Sequence, residues 1–374
     1  MILPLKDFIP EKSGSGFIID TKENKKSLHV SYKVLYKQGG YKKVECSIPK
    51  VIETNNLFWE ALGILQGEMK KSNKNLGYAN TSFTNSNPDI VNHVLDFFEE
   101  FFNIKRNSWR ITIIFNSKDF PLRHKEEFES KIRNFWINNL KVPNENFTKT
   151  YFNQRKRAVQ SKSGSVNLKY CNSVYASFFK NMLENLKGII ENDRTVSQSY
   201  IRGLIAAEGS SYIKNGFLNS VEIGASRDED FEHYKKCLRV IGIKRAWKGN
   251  NAIKICGWDN FYELWKIKAF KLHKKRELKF TEGFLKNEET RKLLLLKKLS
   301  EQSKPIKDLE YTSLARCTVH QHLTNHLKSG LVERSRIFNK DGSWYYVWKT
   351  TRKGEEVLKS LDANVIESER EIND

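Results

Sequence analysis

The sequence predicts an α+β fold with two related halves and a separate C-terminal domain. Three observations support this prediction. An apolar helix that contains two small residues one turn apart and ends on a glutamate occurs twice in the chain. Runs of alternating polar and apolar residues, typical of half-buried strands, follow both helices and are separated by stretches of helical periodicity. Near residue 290 the pattern changes to three short helices followed by two strands and a last helix.

The composition favours a polyanionic partner. The 374 residues include 65 Lys and Arg against 44 Asp and Glu, a formal net charge of +21, and the positive residues recur along the whole chain. Such a charge attracts nucleic acid first and an anionic membrane surface second. No stretch approaches the roughly 18 consecutive apolar residues of a membrane span, so we expect no membrane partner. The five cysteines are scattered without a CxxC pair, which is typical of free thiols in a reducing compartment. We therefore expect a cytoplasmic protein, and its positive charge favours association with DNA.

The two related helices carry small residues with helical spacing. They end in "ALGILQGEM" (residues 61–69) and "IRGLIAAEG" (residues 201–209). Glycine in a helix interior costs about 1 kcal/mol relative to alanine. Small residues one turn apart therefore indicate a face where another backbone comes close, and we expect the two helices to pack on each other. The packing residues would be Gly63, Gly67, Gly203 and Ala207.

Each helix ends on a carboxylate. If the helices pack together, Glu68 and Glu208 lie side by side at helix C-termini, where both the helix dipole and the neighbouring acid disfavour negative charge. A divalent metal ion would reverse the sign of that arrangement, because hard cations favour carboxylate oxygens. The alternative is that both are surface acids that happen to end helices.

At these residues the chain resembles the LAGLIDADG family, whose motif has glycine third, a small residue seventh, an acid eighth and usually glycine ninth. Residues 201–209 match this motif, and residues 61–69 match it except for Met69 in the ninth place. The resemblance implies two pseudo-symmetric αββαββα repeats in one monomeric chain, which form a saddle over double-stranded DNA. It also implies that Glu68 and Glu208 hold Mg²⁺ or Mn²⁺ for phosphodiester hydrolysis.

The family also places a basic residue near the end of each repeat. "KLHKKREL" (residues 271–278) offers Lys274 or Lys275 for the second repeat, and we take Lys274 as the catalytic candidate. The first repeat shows no clear equivalent. A solvated basic turn without a catalytic role is the alternative.

Several side chains are candidates for DNA contact. In "SWRITIIF" the alternation assigns Trp109, Ile111, Ile113 and Phe115 to the core, and the same split exposes a lysine in "AIKIC". The basic loop "NQRKRAVQSKSG" (residues 153–164) is typical of segments that contact phosphates. A solvated basic loop without a ligand is the alternative. The candidates are Arg110, Thr112, Arg155, Lys156, Arg157, Lys162 and Lys254.

The C-terminal element order resembles a winged helix-turn-helix domain. In the third helix Val319, Leu323 and Leu327 form the predicted buried stripe, and Asp341-Gly342 signals the turn between the two strands. The polar side chains opposite the stripe suit a major groove, while use of the domain for protein contacts is the alternative. The candidate DNA contacts are Thr318, Gln321, Asn325 and Lys328 on the helix, with Arg336 and Lys340 in the wing.

We therefore predict four domains: a β-rich extension (1–44), a first repeat with inserted elements (45–190), a second repeat (191–288) and a winged helix domain (289–374). The predicted function is that of a site-specific homing endonuclease that cuts double-stranded DNA with a divalent metal. A non-catalytic transcription regulator with the same fold is the first alternative. An intron maturase that binds structured RNA is the second alternative.

Overall fold

The structure is a computed structural model, and it describes residues 1–9, 11–13, 16–35, 40–69, 81–116, 125–153, 164–309 and 316–360. The fold is mixed α+β, as predicted. Two compact units are present. The first comprises residues 1–211, 221–256 and 267–277, and the second comprises residues 212–220, 257–266 and the described chain from Leu278 onward. Within the described ranges, no helix is long and apolar enough to cross a membrane.

The N-terminal segment is β-rich. Its strands are β1 (Ile2–Pro4), β2 (Lys12–Ser13), β3 (Gly16–Glu23), β4 (Ser27–Leu35), β5 (Tyr41–Pro49) and β6 (Val51–Glu53). One sheet has the order β2-β3-β4-β5, and β1 pairs with β6. The expected boundary at residue 44 falls inside β5, which pairs with β4 along its full length. The β-rich segment therefore continues to Glu53.

The first half carries elements beyond the αββαββα order, and the sequence predicts inserted elements in this repeat. Its elements are α1 (Asn56–Glu68), β7 (Thr81–Asn85), α2 (Pro88–Phe102), β8 (Arg110–Asn116), α3 (Lys125–Leu140), β9 (Phe147–Asn153), β10 (Ser165–Tyr170), α4 (Ser173–Asn185) and α5 (Lys187–Ile190). The sheet order is β7-β10-β8-β9, with β8 and β9 parallel. Within the described residues, this half therefore contains the αββαββα elements only together with insertions. Parallel neighbours need a crossover of a dozen or more residues, and the inserted α3 supplies it.

The second half follows the predicted αββαββα order. Its elements are α6 (Arg194–Glu208), β11 (Gly209–Lys214), β12 (Phe217–Gly224), α7 (Asp228–Val240), β13 (Ala246–Lys248), β14 (Ala252–Ile255), α8 (Trp258–Lys266) and α9 (Lys274–Leu285). The sheet order is β11-β12-β14-β13, and β14 pairs antiparallel with both β12 and β13. The last two strands, β13 and β14, are antiparallel and joined by a short connection, so no helix is needed between them.

The helices α1 and α6 pack with their backbones in direct contact. A Cβ atom on Gly63 would lie 2.1 Å from the carbonyl oxygen of Tyr200, and one on Gly203 would lie 1.8 Å from that of Glu60. One turn further on, a Cβ on Gly67 would lie 2.9 Å from the Cβ of Ala207. The four small residues named from the sequence therefore all lie along this contact, and larger side chains do not fit at the two central glycines.

A buried ion pair crosses the same contact. Arg202 Nε donates to Glu60 Oε1 at 2.6 Å, and Lys271 Nζ lies 2.8 Å from the same oxygen. Burial raises the pKa of Glu60, but hydrogen bonds from His93, Lys271 and Arg202 outweigh burial and bring that pKa down to about 2. Glu60 of α1 is therefore ionised. Its negative charge is balanced by Arg202 of α6 and by Lys271 in the segment before α9.

The C-terminal part of the second unit contains α10 (Glu288–Glu301), β15 (Lys304–Pro305), a 3-10 helix (Ile306–Leu309), α11 (Arg316–Lys328), β16 (Val332–Phe338), β17 (Trp344–Thr350) and α12 (Arg352–Ser360). Its sheet has the order β15-β17-β16. Val319 and Leu323 of α11 are buried in the core of this part, with Leu327 partly buried beside them. The predicted apolar stripe of α11 therefore faces the core.

We predict that Gly203→Ala destabilises the protein by about 1–3 kcal/mol or more, because the new methyl group meets backbone atoms that cannot rotate away. Urea unfolding of the full chain measures this change. The matched control is Gly188→Ala in α5, where nothing lies within 4 Å of the added Cβ and the change is expected to be neutral or slightly stabilising. Equal stabilities of the two variants would refute the close helix contact.

Candidate acidic site

Glu68 and Glu208 are the last residues of α1 and α6. Both helices end in the same way. The Met69 N–H donates to the Leu65 carbonyl and the Gly209 N–H donates to the Ile205 carbonyl, and both residues then adopt extended backbone angles. Because φ at Met69 is −68°, that position does not require glycine. The departure from the usual ninth-position glycine therefore leaves the end of α1 intact.

The carboxylate of Glu208 is seated between two glycines. A Cβ on Gly67 would lie 2.8 Å from Glu208 Cγ, and a Cβ on Gly224 would lie 2.6 Å from Glu208 Oε2. Gly224 is the last residue of β12. The Glu208 side chain thus packs against α1 on one side and against the end of β12 on the other. Sequence reasoning missed Gly224, since a glycine that ends a strand carries no local signal of this contact.

The carboxylate of Glu68 is more enclosed. Asn85 Nδ2 at the end of β7 donates to Glu68 Oε1 at 2.9 Å. Burial and the neighbouring charge of Glu208 raise the pKa of Glu68 to about 7, against the opposing effects of Asn85 and Arg276. The Glu68 carboxyl group therefore titrates near neutral pH instead of near its ordinary value of 4.5. Because the charge of Glu208 contributes to this raised pKa, the two acids lie close together, as predicted.

Arg276 is the basic side chain at the acid pair. Its Nη1 donates to the carbonyl oxygens of Ile205, Ala206 and Ala207 at 3.0, 2.7 and 3.2 Å. The last four carbonyl groups of a helix lack intrahelical partners, so this guanidinium caps α6. Burial lowers the pKa of Arg276, while the charges of Glu68 and Glu208 act in the opposite direction.

Lys274, the candidate chosen from the sequence, is an exposed side chain at the first position of α9. Two residues along a helix correspond to a rotation of about 200°, so Lys274 and Arg276 occupy nearly opposite faces of α9. The structure therefore places Arg276, and not Lys274, beside the acids. The sequence shows Arg276 within a run of lysines. Which face of α9 this arginine occupies depends on the residue at which the helix begins, and the sequence pattern does not give that residue.

The acid pair fits a hard divalent cation. Among the residues that the structure describes, no group of three or more His, Cys, Asp or Glu side chains could hold a metal, so a site at Glu68 and Glu208 would have two protein carboxylates. Mg²⁺ is commonly bound through one or two carboxylates and keeps several water ligands. Burial and, after it, the charge of Glu208 raise the pKa of Glu68, and a bound cation would offset both effects.

The candidate DNA contacts on the sheets of the first unit are partly accessible. Arg110 is exposed and Thr112 half-buried on β8, opposite the buried Trp109 and Ile111. Lys169 of β10 stands beside Arg110 in register and is also exposed, although sequence reasoning did not select it. The predicted alternation along β8 is confirmed.

The remaining candidates on this unit divide into two groups. Lys254 of β14 is half-buried and lies 3.6 Å from Glu222 of the neighbouring strand. The basic loop between β9 and β10 lies outside the described residues. The candidates that it carries are Arg155, Lys156, Arg157 and Lys162.

In the second unit, the candidates on α11 lie on the side away from the core. Gln321, Asn325 and Lys328 are exposed, and Thr318 is half-buried. Arg336 on β16 and Lys340 in the following turn are also exposed. The structure thus leaves a polar strip of α11 open to contact.

No protein-family model and no curated protein matches the chain. Among solved structures, the chain is similar to mesophilic variants of the homing endonuclease I-DmoI, with 14% identity and a TM-score of 0.27 over 62% of this chain and 91% of that chain. A TM-score of this size does not support a shared fold or activity. Function is therefore inferred from the site itself.

We predict that Glu68→Gln stabilises the protein at pH 8 by about 1–2 kcal/mol, after allowance for partial solvent screening. The folded-state pKa of Glu68 lies near 7, above its ordinary value of 4.5. Protonation therefore favours the folded state fully below about pH 4.5, and this contribution is lost as the pH rises through 7. Urea unfolding from pH 4 to 8 should show the two proteins converging at acidic pH. A constant difference across this range would contradict the raised pKa.

Proposed function

We propose that this chain is a site-specific endonuclease of the LAGLIDADG type that cuts double-stranded DNA as a monomer with Mg²⁺ or Mn²⁺. The observation that carries the proposal is the emergence of Glu68 and Glu208 side by side from two helices in backbone contact, with Arg276 next to them. A half-buried carboxyl group, a second carboxylate and an arginine form an arrangement suited to phosphate chemistry.

The chemical roles follow from the surroundings of each side chain. A bound cation would polarise a phosphoryl oxygen and lower the pKa of its water ligands. Glu68, held by Asn85, would lose its proton when the cation binds and then serve as one of the two carboxylate ligands. Arg276 places a fixed positive charge where a phosphate would gain negative charge during hydrolysis.

Affinity for DNA would come from basic side chains spread over the chain. The net charge of +21 supplies a sequence-independent attraction to phosphates that weakens with salt. On the first unit, Arg110, Lys169 and Lys254 lie on sheet faces away from the buried strand residues. In the second unit, the polar strip of α11 would read base edges in a major groove, as the recognition helix of a winged helix domain.

A non-catalytic DNA-binding regulator is the second candidate. The observation that favours it is the position of Arg276, whose guanidinium already brings a positive charge to the acid pair and satisfies three carbonyl groups of α6. The pair is thereby partly neutralised without any cation. In this case the acids would have no catalytic role, and the protein would bind specific DNA sequences without cutting them.

The cleavage test uses fragmented genomic DNA from the source organism, with Mg²⁺ or Mn²⁺ and sequencing of the new ends. We expect discrete staggered ends with the wild-type protein and none with the double variant Glu68→Gln/Glu208→Gln, because the variant lacks both metal-binding carboxylates. The control Glu232→Gln, which changes an exposed acid on α7, should cut normally. Cutting by the double variant would exclude the acid pair as the active site. Specific retention without cutting by any of the three proteins would favour the regulator.

Metal binding itself can be tested without cleavage. Because the pKa of Glu68 lies near 7, binding of Mg²⁺ should release a fraction of a proton per ion at pH 7 and almost none at pH 9. Isothermal titration calorimetry in two buffers of different ionisation enthalpy measures this release. Glu68→Gln should bind more weakly and release no proton, whereas Glu232→Gln should behave as wild type. Equal proton release by Glu68→Gln would argue against the assigned site.

A further inference from the structure

The hairpin formed by β16 and β17 in the second unit carries arginines and aromatic rings on one face. In the strand register Arg334 lies opposite Trp348, Arg336 opposite Tyr346, and Phe338 opposite Trp344. Alternate residues of a strand point to the same side of a sheet. These three cross-strand pairs therefore share one face of the hairpin.

That face runs from the core into solvent. Trp348 is only 2% exposed and belongs to the core of the C-terminal part, whereas Trp344 is 48% and Phe338 67% exposed at the far end. Apolar side chains of this size are normally buried in a soluble protein, and a group of them on the surface is typical of a binding site. We call Arg334, Arg336, Phe338, Trp344 and Tyr346 the aromatic-arginine face.

The arginines of this face lie over its rings. The guanidinium of Arg336 is 4.7 Å from the centre of the Trp344 ring, and that of Arg334 is 4.5 Å from the centre of the Tyr346 ring. Arg336 Nη2 also lies 3.5 Å from the Tyr346 hydroxyl oxygen. Within the described part of the chain, the contacts of these two arginines are with aromatic side chains, and neither forms an ion pair with a carboxylate. Their charges are therefore available to an anionic ligand.

The turn at the far end holds the two strands in place. The Ser343 N–H donates to Asp341 Oδ1 at 2.9 Å, and Asn339 Nδ2 donates to Ser343 Oγ at 2.7 Å. Gly342, at φ +80°, adopts the left-handed conformation that such a turn requires. The rings are thus presented on a hairpin whose end is closed by its own hydrogen bonds, which lowers the entropic cost of binding a ligand.

We propose that the aromatic-arginine face binds unpaired nucleotides of single-stranded DNA. Unpaired bases can stack on the exposed ring of Phe338 and on the planar guanidinium groups that lie over Trp344 and Tyr346, with little sequence preference, because every base has a π-face. Arginine provides planar, charged donors for the phosphates between them. Four residues of strand span roughly 13 Å, which accommodates about two or three nucleotides. In intact duplex DNA the bases are stacked on each other, so their faces are not available to these rings.

This site goes beyond the proposed endonuclease function and does not depend on it. The aromatic-arginine face belongs to the second unit, whereas Glu68 and Glu208 belong to the first. The duplex-cutting chemistry assigned to the acids makes no use of an exposed stacking surface. A protein that holds unpaired nucleotides in addition to duplex DNA would favour targets with frayed, bubbled or displaced strands.

The test measures the affinity of the full chain for a short fluorescein-labelled oligothymidine by fluorescence anisotropy. Trp344→Ala and Phe338→Ala should each weaken binding about tenfold, because each removes a stacking ring. Trp344→Phe, which keeps a ring, should stay within about twofold of wild type. The matched control is Tyr345→Ala, which removes a partly exposed ring from the opposite face of the same hairpin and should also stay within about twofold.

Three results would overturn the proposal: no saturable binding of oligothymidine, equal weakening by Tyr345→Ala and Trp344→Ala, or equal weakening on a duplex of the same length. A lack of saturable oligothymidine binding would indicate that the aromatic-arginine face binds a protein partner instead. The double variant Glu68→Gln/Glu208→Gln should bind oligothymidine as wild type does. A failed cleavage experiment and a failed stacking experiment are therefore separate results.

Discussion

The backbone contact between α1 and α6 is the constraint on which the acidic site depends. Because Gly63 and Gly203 have no Cβ, each glycine lies against a carbonyl group of the other helix. Helices this close end next to each other, which brings Glu68 and Glu208 to one place. The buried pair of Glu60 and Arg202 restricts sliding of the helices, since separating two buried charges costs about 3–5 kcal/mol.

The same contact creates an electrostatic conflict. Two carboxylates at helix C-termini face unfavourable helix dipoles, and burial adds to their repulsion, as the raised pKa of Glu68 reflects. Arg276 offsets part of this conflict by donating to the last carbonyl groups of α6. Proteins commonly retain such local conflicts where function requires them. The conflict at Glu68 and Glu208 is what gives the pair its affinity for a proton and, in our proposal, for a cation.

The two halves share this helix contact but not their sheet connectivity. In the second half β13 and β14 are antiparallel neighbours, whereas in the first half β8 and β9 are parallel and joined through α3. The helix contact requires only small residues on α1 and α6 and places no demand on how the strands behind them are connected. The two sheets can therefore present different side chains to a ligand, even though the acids emerge in equivalent positions.

The sequence by itself determined the features that local patterns encode. These include the two small-residue helices ending on Glu68 and Glu208, the alternation that buries Trp109 and exposes Arg110, and the order of the helices and the two longer strands after residue 290. The short strand β15 was not predicted. Each depends on residue spacing within one element, so its periodicity is visible in the chain. The predicted metal and DNA-binding roles depended in addition on a family resemblance, and they stay predictions.

Only the tertiary structure decided which distant residues complete the site. Asn85, Gly224 and Arg276 come from separate elements and reach the acids through packing. The parallel pairing of β8 with β9 and the cross-strand stacking of arginines on Trp344 and Tyr346 likewise depend on register. Contacts between residues far apart in the chain are set by how whole elements pack, and no periodicity within a single element reports them.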